Sequence, residues 1–170
     1  MVIWLIGLAG AGKSSIGQAL AAQLRSRGVA AVLLDGDRFR DVVDDGLGHS
    51  TGERRINGMR MCRMSQFLEE QGVAVVACVL SNFPEQQEWN RQHLTRYLEV
   101  FIDVPMHVLE ERDQKQLYSG ARLGTIKNVV GIDIPFVRPP SPDLVLTNDG
   151  AISAQVDPIL HALREREWLP

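Results

Sequence analysis

The sequence predicts an α/β fold in which a five-stranded parallel sheet is covered by helices on both faces. Short runs of Val, Ile and Leu alternate along the chain with longer segments that carry apolar residues at helical spacing. Alternating strands and helices favour parallel pairing through right-handed crossovers. The 170 residues, 45% hydrophobic and 23% charged, suit one compact domain with no linker or repeat.

The predicted strands are short runs that are apolar on both sides, as is typical of a covered parallel sheet. They are Val2–Leu8, Val29–Leu34, Val73–Leu80, Val100–Val104 and Leu144–Leu146. The predicted helices are Lys13–Ser26, Arg54–Gln71, Met106–Leu117 and Ala154–Arg166. Gly28 and Gly72 follow the first two helices, where glycine ends a helix and leads into the next strand.

A glycine-rich loop joins the first predicted strand to the first predicted helix. It reads Gly7-Leu8-Ala9-Gly10-Ala11-Gly12-Lys13-Ser14 and matches the Walker A pattern in full. Its glycines permit the torsions that turn backbone N–H groups inward, and the helix N-terminus adds attraction for phosphate. Lys13 is expected to bridge the β- and γ-phosphates of ATP, and the Ser14 hydroxyl to bind Mg²⁺. The alternative is a glycine-rich turn without a ligand; the flanking strand and helix favour a P-loop NTPase fold.

Two carboxylates follow the second predicted strand, in Asp35-Gly36-Asp37. Ligands of open α/β sheets bind beyond the carboxyl ends of the strands, so both should face the phosphate loop. One could hold Mg²⁺ and the other could orient or deprotonate an acceptor hydroxyl. We place Asp35 with Ser14 at the metal, while the sequence leaves open which carboxylate meets it. A plain turn is the alternative, since Asp-Gly-Asp is common turn chemistry.

Arginines are concentrated between the second and third predicted strands, at positions 40, 54, 55, 60 and 63. The guanidinium group suits a bidentate grip on phosphate or sulfate. Arg40 and Arg54, near element ends, are the candidates for anion contacts. Arg55 and Arg63 are expected on a solvated helix face.

The segment Gly120–Pro142 carries no core periodicity, and a loop this long in a compact domain is typical of a functional lid or of a disordered segment. Arg112, Lys115, Arg122 and Lys127 place basic groups before and within it. A basic flap over the phosphates would exclude water and stabilise the transferring charge. Scattered surface charge is the alternative.

Cysteine content and net charge restrict the class of protein. Cys62 and Cys78 lie in apolar segments without metal-ligand spacing and are expected to be buried thiols. A net charge of −3 argues against a general nucleic-acid binder. The apolar start Met1–Leu8 is too short to span a bilayer, so no membrane association and a cytoplasmic location are expected. The sequence leaves a homodimer open.

Together these motifs resemble the adenylylsulfate kinase family of P-loop kinases, which phosphorylate the 3′-hydroxyl of adenosine 5′-phosphosulfate. The resemblance runs from Val2 to about Thr147. Its ordered motifs are Gly7–Ser15, Leu34–Arg40, Leu47–Ser50, Arg54–Asn57, Glu99–Pro105, Glu111–Tyr118, Ala121–Arg122, Ile126–Lys127, Gly131–Pro135 and Pro142–Leu144.

The resemblance implies ATP and Mg²⁺ as cofactors, a small nucleotide acceptor and a mobile lid at about residues 112–140. Lys13, Asp35 and Asp37 are the expected catalytic residues. The expected ATP-binding residues are Gly7, Ala9, Gly10, Ala11, Gly12, Lys13, Ser14, Ser15, Arg112 and Arg122. The expected acceptor-binding residues are Asp37, Arg40, His49, Arg54, Asn57, Leu80, Ser81, Lys115, Lys127 and Val129.

The chain departs from the family where the acceptor base would bind. The family grips adenine between two phenylalanines, and those positions here are His49 and Val129. Stacking on an aromatic face contributes roughly 1–3 kcal/mol per base. The family's Ser-Pro-Phe/Tyr-Arg segment is here Ser81-Asn82-Phe83-Pro84, and its paired lid lysines are Ser119-Gly120. The transfer reaction is therefore better determined than the acceptor.

Three functions remain open at this stage. Adenylylsulfate kinase is the leading hypothesis. A related kinase that acts on a cytidine diphosphate derivative, such as a CDP-phosphoramidate, is the nearest rival, because a pyrimidine needs less stacking surface. A nucleotide-binding module without catalysis is the third, and the presence of Lys13, Asp35 and Asp37 counts against it.

Overall fold

One parallel sheet organises the computed structural model, which describes residues 1–43, 46–80, 83–113 and 116–169. Its strands are β1 Val2–Ile6, β2 Ala31–Asp35, β3 Ala74–Val79, β4 Tyr97–Ile102 and β5 Leu144–Leu146. They pair in the order β2-β3-β1-β4-β5, and every pairing is parallel. This confirms the predicted sheet.

Helices cover both faces of the sheet. Within the described residues they are α1 Lys13–Ser26, α2 Gly36–Val43, α3 Thr51–Glu70, α4 Pro84–His93, α5 Met106–Arg112, α6 Leu117–Arg122 and α7 Ile152–Glu165. Successive residues of β1 point to opposite faces, so Ile3 and Leu5 pack in one hydrophobic cluster with α1 and α7. Trp4 and Ile6 pack in a second cluster with Met61 of α3.

Strand β4 begins at Tyr97, three residues before the predicted start at Val100. The first residues of β4 include polar side chains, so a search for apolar runs does not predict where the strand begins. Glu99 is 1% exposed, accepts a hydrogen bond from the Tyr97 hydroxyl (2.8 Å) and pairs with Arg91 (3.3 Å). Burial is the main cause that raises the pKa of Glu99. A buried carboxyl group thus replaces an apolar side chain in the sheet.

The predicted helix Met106–Leu117 is wrong, because α5 ends at Arg112 and α6 begins at Leu117. The Asp113 carboxylate accepts hydrogen bonds from the backbone N–H groups of Tyr118 (3.1 Å) and Ser119 (2.9 Å). These contacts satisfy amide groups at the start of α6, as an N-terminal cap does. Part of the predicted loop Gly120–Pro142 is therefore the end of this helix.

Two helices gave no signal in the sequence. Helix α2 follows β2 directly and buries none of its residues. Helix α4 starts with Pro84 and buries the polar residues Gln86, Gln87 and Asn90. Because its buried face is polar, apolar periodicity could not reveal it.

The structure confirms the smaller predictions about cysteines and glycines. Both cysteines are free and buried, and burial raises the pKa of each thiol to about 12. Gly28 (φ +77°) and Gly72 (φ +79°) adopt the left-handed conformation directly after α1 and α3. Among the described residues, no helix is both long and apolar enough to cross a membrane.

Candidate active site

The Walker A loop connects β1 to α1 at the carboxyl end of the sheet. Gly10 (φ +77°) and Gly12 (φ +93°) adopt left-handed torsions that a residue with a side chain rarely takes. A Cβ atom on Gly7 would lie 2.9 Å from the carbonyl oxygen of Ile102. The glycines thus allow both the curvature of the loop and its close approach to β4.

Side chains hold three carbonyl groups of the loop. The Lys13 ammonium donates to the oxygen of Leu8 (2.8 Å). The Tyr118 hydroxyl of α6 donates to the oxygen of Ala9 (2.7 Å), and the Asn148 amide donates to the oxygen of Ala11 (2.7 Å). The sequence does not predict Tyr118 or Asn148 as site residues. Tyr118 lies in one of the family motifs, whereas no motif contains Asn148.

Ser14 and Asp35 meet at the mouth of this loop. The Ser14 hydroxyl donates to Asp35 Oδ2 at 2.5 Å. Asp35 Oδ1 accepts from the backbone N–H groups of Asp37 (3.1 Å) and Arg38 (3.4 Å), which orients the carboxylate. A hydroxyl and a carboxylate side by side form the oxygen donor set that Mg²⁺ prefers.

A pocket lies beside the loop, beyond the ends of β2 and β3. Five of the ten predicted acceptor residues line its wall, namely Asp37, Arg40, Arg54, Asn57 and Leu80. The remaining wall consists of Gly36, Gly58, Met61, Val79, Phe83 and Gln86. The structure thus brings half of the predicted acceptor residues into one pocket.

Two polar groups of this pocket lack a hydrogen-bond partner among the described residues. Asn57 is 5% exposed, and its Nδ2 donates to the oxygen of Gly36 (3.4 Å) while Oδ1 has no partner. Arg40 Nη1 donates to the oxygen of Gly48 (2.7 Å), and its buried Nε has no partner. Buried polar groups are nearly always paired, so one acceptor atom and one donor atom are available for a ligand.

Arg54 joins the rim of the pocket to the predicted lid. Its Nε donates to the oxygen of His49 (2.8 Å), and its Nη2 donates to the oxygen of Asn128 (2.9 Å). The backbone turn at Asn128 is held by Asp133, which accepts from the N–H groups of Asn128 and Val129. The guanidinium group therefore bridges segments far apart in the chain.

His49 is an exposed residue at the rim. Partial removal from water lowers the pKa of its imidazole, and the Arg54 and Arg40 cations lower it further. The lowered pKa favours the neutral form of the ring. A neutral imidazole on the rim can stack on a base but adds no charge.

Val129 and Lys127, also predicted to bind the acceptor, are not in this wall. Val129 is 2% exposed and belongs to the hydrophobic cluster that also contains Leu109 and Tyr118. Its side chain therefore presents no face to the pocket. Lys127 is exposed. Ser81 and Lys115 lie outside the described residues.

The two arginines predicted to bind ATP make other contacts. Arg112 Nη2 donates to the oxygen of Asn148 (3.0 Å), next to the Walker A loop. Arg122 pairs with Glu110 on α5, away from the loop carbonyls. Arg55, predicted on a solvated face, pairs with Glu85 (2.8 Å) with its side chain 61% exposed.

Similarity to known proteins identifies the family of this chain. The sequence profile of the adenylylsulphate kinase family matches residues 1–147. The chain belongs to the adenylylsulfate kinase family. It is therefore a kinase that binds ATP and transfers a phosphoryl group to a hydroxyl group of a nucleotide acceptor.

The relatives of this adenylylsulfate kinase family member differ in acceptor. A cytidine diphosphoramidate kinase of Campylobacter jejuni is 42% identical over 150 residues, which cover 86% of this chain and 85% of that protein. An adenylyl-sulfate kinase of Aeromonas salmonicida is 38% identical over 172 residues, with 99% and 88% coverage. The Mycobacterium tuberculosis APS kinase in complex with AMPPNP and APS matches with a TM-score of 0.90 at 35% identity, covering 96% of each chain.

Proposed function

We propose that this kinase transfers the γ-phosphoryl group of ATP·Mg²⁺ to a ribose hydroxyl of a cytidine diphosphate derivative that ends in a second anionic group, such as cytidine diphosphoramidate. The observation that carries the proposal is the position of Val129. Its side chain is buried in the hydrophobic cluster that contains Leu109 and Tyr118, and it offers no surface to a base. A site with one stacking face less favours a small base over adenine.

The ATP half of the site uses the Walker A loop. The inward N–H groups of the loop bind the phosphates, and Lys13 carries the charge that would bridge the β- and γ-phosphates. Ser14 and Asp35 would hold Mg²⁺, since their oxygens are already adjacent. The ion would neutralise charge that develops on the transferring group.

Asp37 is the residue we assign to the acceptor hydroxyl. It lines the acceptor pocket, while Asp35 two residues earlier is directed to Ser14. The acceptor oxygen forms a new bond to the γ-phosphorus as the bond to the β-phosphate oxygen breaks. The hydroxyl proton passes to Asp37, and ADP leaves.

Arg40, Arg54 and Asn57 would bind the 5′ end of the acceptor. Two guanidinium groups in one small pocket favour an anion, and Arg40 Nε and Asn57 Oδ1 offer a donor and an acceptor atom. A terminal phosphoramidate has P–O⁻ oxygens, which can accept a hydrogen bond from Arg40 Nε. It also has an N–H group, which can donate to Asn57 Oδ1. Arg112, Lys115, Arg122 and Lys127 remain the proposed basic groups of the lid.

Adenosine 5′-phosphosulfate is the second candidate acceptor. Arg40, Arg54 and Asn57 occupy the family positions for it, and a solved relative binds APS. A phosphosulfate group has oxygen atoms only, so its own atoms offer no hydrogen-bond donor to Asn57 Oδ1. This order of candidates reverses the one that the motifs alone suggested, because Val129 proves to be buried.

Acceptor preference provides the test. We expect kcat/KM of the wild-type protein to be higher for cytidine diphosphoramidate than for adenosine 5′-phosphosulfate, by roughly 5- to 150-fold, the equivalent of one lost stacking contact of about 1–3 kcal/mol. The substitution His49→Phe adds an aromatic face at the rim and should raise the activity on the adenosine compound. His161→Phe, the same substitution at an exposed position of α7, should not change the ratio.

Val129→Phe is less suitable than His49→Phe as a probe. A larger side chain in a buried position forces its neighbours apart and costs about 1–3 kcal/mol of stability. A wild-type protein that prefers adenosine 5′-phosphosulfate, with no gain from His49→Phe, would contradict the proposed acceptor. The assignment to a kinase family would be unaffected.

A further inference from the structure

The orientation of each peptide group decides whether a Walker A loop attracts or repels phosphate. The carbonyl of one residue and the N–H of the next belong to one planar unit and point in opposite directions. When the carbonyl points away from the ligand, the N–H points toward it. A flipped peptide would instead direct a partially negative oxygen at the phosphates. A contact that holds the carbonyl from outside thereby positions the N–H donor.

Asn148 makes such a contact with the peptide between Ala11 and Gly12. Its Nδ2 donates to the oxygen of Ala11 at 2.7 Å, and Asn148 is 8% exposed. A Cβ atom on Gly12 would lie 2.2 Å from that nitrogen, so the amide rests directly against the loop. The contact joins residues 137 positions apart in the chain.

Asn148 is itself fixed by its neighbours. Its backbone is left-handed (φ +50°), a conformation that asparagine tolerates better than most residues. Its N–H donates to Oε1 of Gln155 on α7 (3.1 Å), and Gln155 is 6% exposed. Its carbonyl oxygen accepts from Arg112 (3.0 Å). The residue is therefore a rigid support between α7, the Walker A loop and the start of the predicted lid.

We propose that Asn148 is a positioning residue for ATP. It holds the Ala11 carbonyl outward so that the Gly12 N–H remains directed at the phosphates. The inference concerns the phosphate donor and holds whichever nucleotide is the acceptor. It can be tested by binding of ADP alone, so its failure is distinguishable from failure of the proposed acceptor.

The test compares Asn148→Gly with Asn148→Asp. Glycine accepts the left-handed backbone and removes only the amide, so ADP affinity should fall by roughly 5- to 30-fold, as expected for one lost buried hydrogen bond. Aspartate has nearly the same shape but places an oxygen opposite the Ala11 oxygen, so ADP affinity should fall further. In both variants KM for ATP should rise while acceptor affinity changes by less than about twofold.

Two further variants separate positioning from stability. Glu167→Gly changes another left-handed, exposed residue far from the loop and should preserve ADP affinity. Gln155→Leu removes the acceptor for the Asn148 N–H and should weaken ADP binding less than Asn148→Gly does. Gln155→Glu retains an oxygen acceptor, so this variant should bind ADP normally. Unchanged ADP affinity in Asn148→Gly, or equal losses of ADP and acceptor binding in it, would overturn the proposal.

Discussion

Asp35 and Asp37 lie two residues apart and face different parts of the site. The carboxylate of Asp35 is held by Ser14 and by two backbone N–H groups. Asp37 belongs to the wall of the proposed acceptor pocket. The turn between them therefore divides two acidic groups between the proposed metal position and the proposed acceptor hydroxyl.

The substitution Asp37→Asn tests this division. An amide cannot accept the hydroxyl proton, so we expect kcat to fall by about 10²- to 10⁴-fold with ATP affinity nearly unchanged. Steady-state kinetics and ADP binding measure the two effects. Asp41→Asn, on the exposed face of the same helix, is the control. Lost ATP·Mg²⁺ binding with a normal kcat would place Asp37 at the metal instead.

Residues of the site differ in how far the sequence reveals them. Lys13 and Ser14 belong to a contiguous motif whose chemistry is local, so their neighbourhood could be predicted. Asn148 and Tyr118 contact the same loop from 137 and 109 positions away. Only folding brings these two residues to the loop. The burial of Val129 likewise becomes apparent only in the folded structure.

At the scale of an element, the start of α3 positions the rim of the pocket. Ser50 and Glu53 form a capping box in which each side chain satisfies a backbone N–H group of the other. Glu53 also accepts from the N–H of Gly48, whose carbonyl oxygen binds Arg40. The helix cap thus fixes the loop that carries His49.

Glu53→Gln should reveal the contribution of this cap through its pH dependence. The hydrogen bond from the Ser50 hydroxyl, followed by those from the N–H groups of Gly48 and Ser50, lowers the pKa of Glu53 to about 2. A lowered carboxyl pKa stabilises the folded state above the ordinary pKa of about 4.3, and this stability is lost as the pH falls toward 2.

The measurement is denaturant unfolding of the wild type and Glu53→Gln between pH 6 and pH 2.5. We expect the wild type to be more stable at pH 6, with the difference shrinking as the pH falls. The same substitution at Glu70, at the other end of this helix, serves as the control. A difference that stays constant over the whole range would contradict the assigned cause.

Elements defined by apolar periodicity were predicted, and those defined by polar contacts were not. Helices α1, α3 and α7 and all five strands were found, with most boundaries displaced by a few residues. Helix α4 was not predicted, because the residues that it buries, Gln86, Gln87 and Asn90, are polar. The break between α5 and α6 depends on the Asp113 carboxylate, whose pKa is lowered by the Ser119 N–H group and its neighbours.

For the whole molecule, the strand order determines where the chemistry takes place. Strand β1 lies between β3 and β4, so the Walker A loop emerges at the centre of the sheet. The proposed acceptor pocket lies next to it at the ends of β2 and β3. This arrangement follows from alternating strands and helices, which is why the fold class and the side of the sheet could be predicted.

The lid and the assembly state are set by contacts that short motifs do not encode. Tyr118 and Arg54 connect the predicted lid to the Walker A loop and to the rim of the pocket, respectively. The lid boundaries at about residues 112–140 and a homodimer stay predictions.

Transfer of a labelled γ-phosphoryl group from ATP tests the central claim most directly. The protein is incubated with ATP labelled in that group, Mg²⁺ and either cytidine diphosphoramidate or adenosine 5′-phosphosulfate. We predict label on the ribose of the nucleotide, one ADP per labelled product, and no transfer by a folded Lys13→Ala variant. Label released only as inorganic phosphate, or near-normal transfer by Lys13→Ala, would contradict the account.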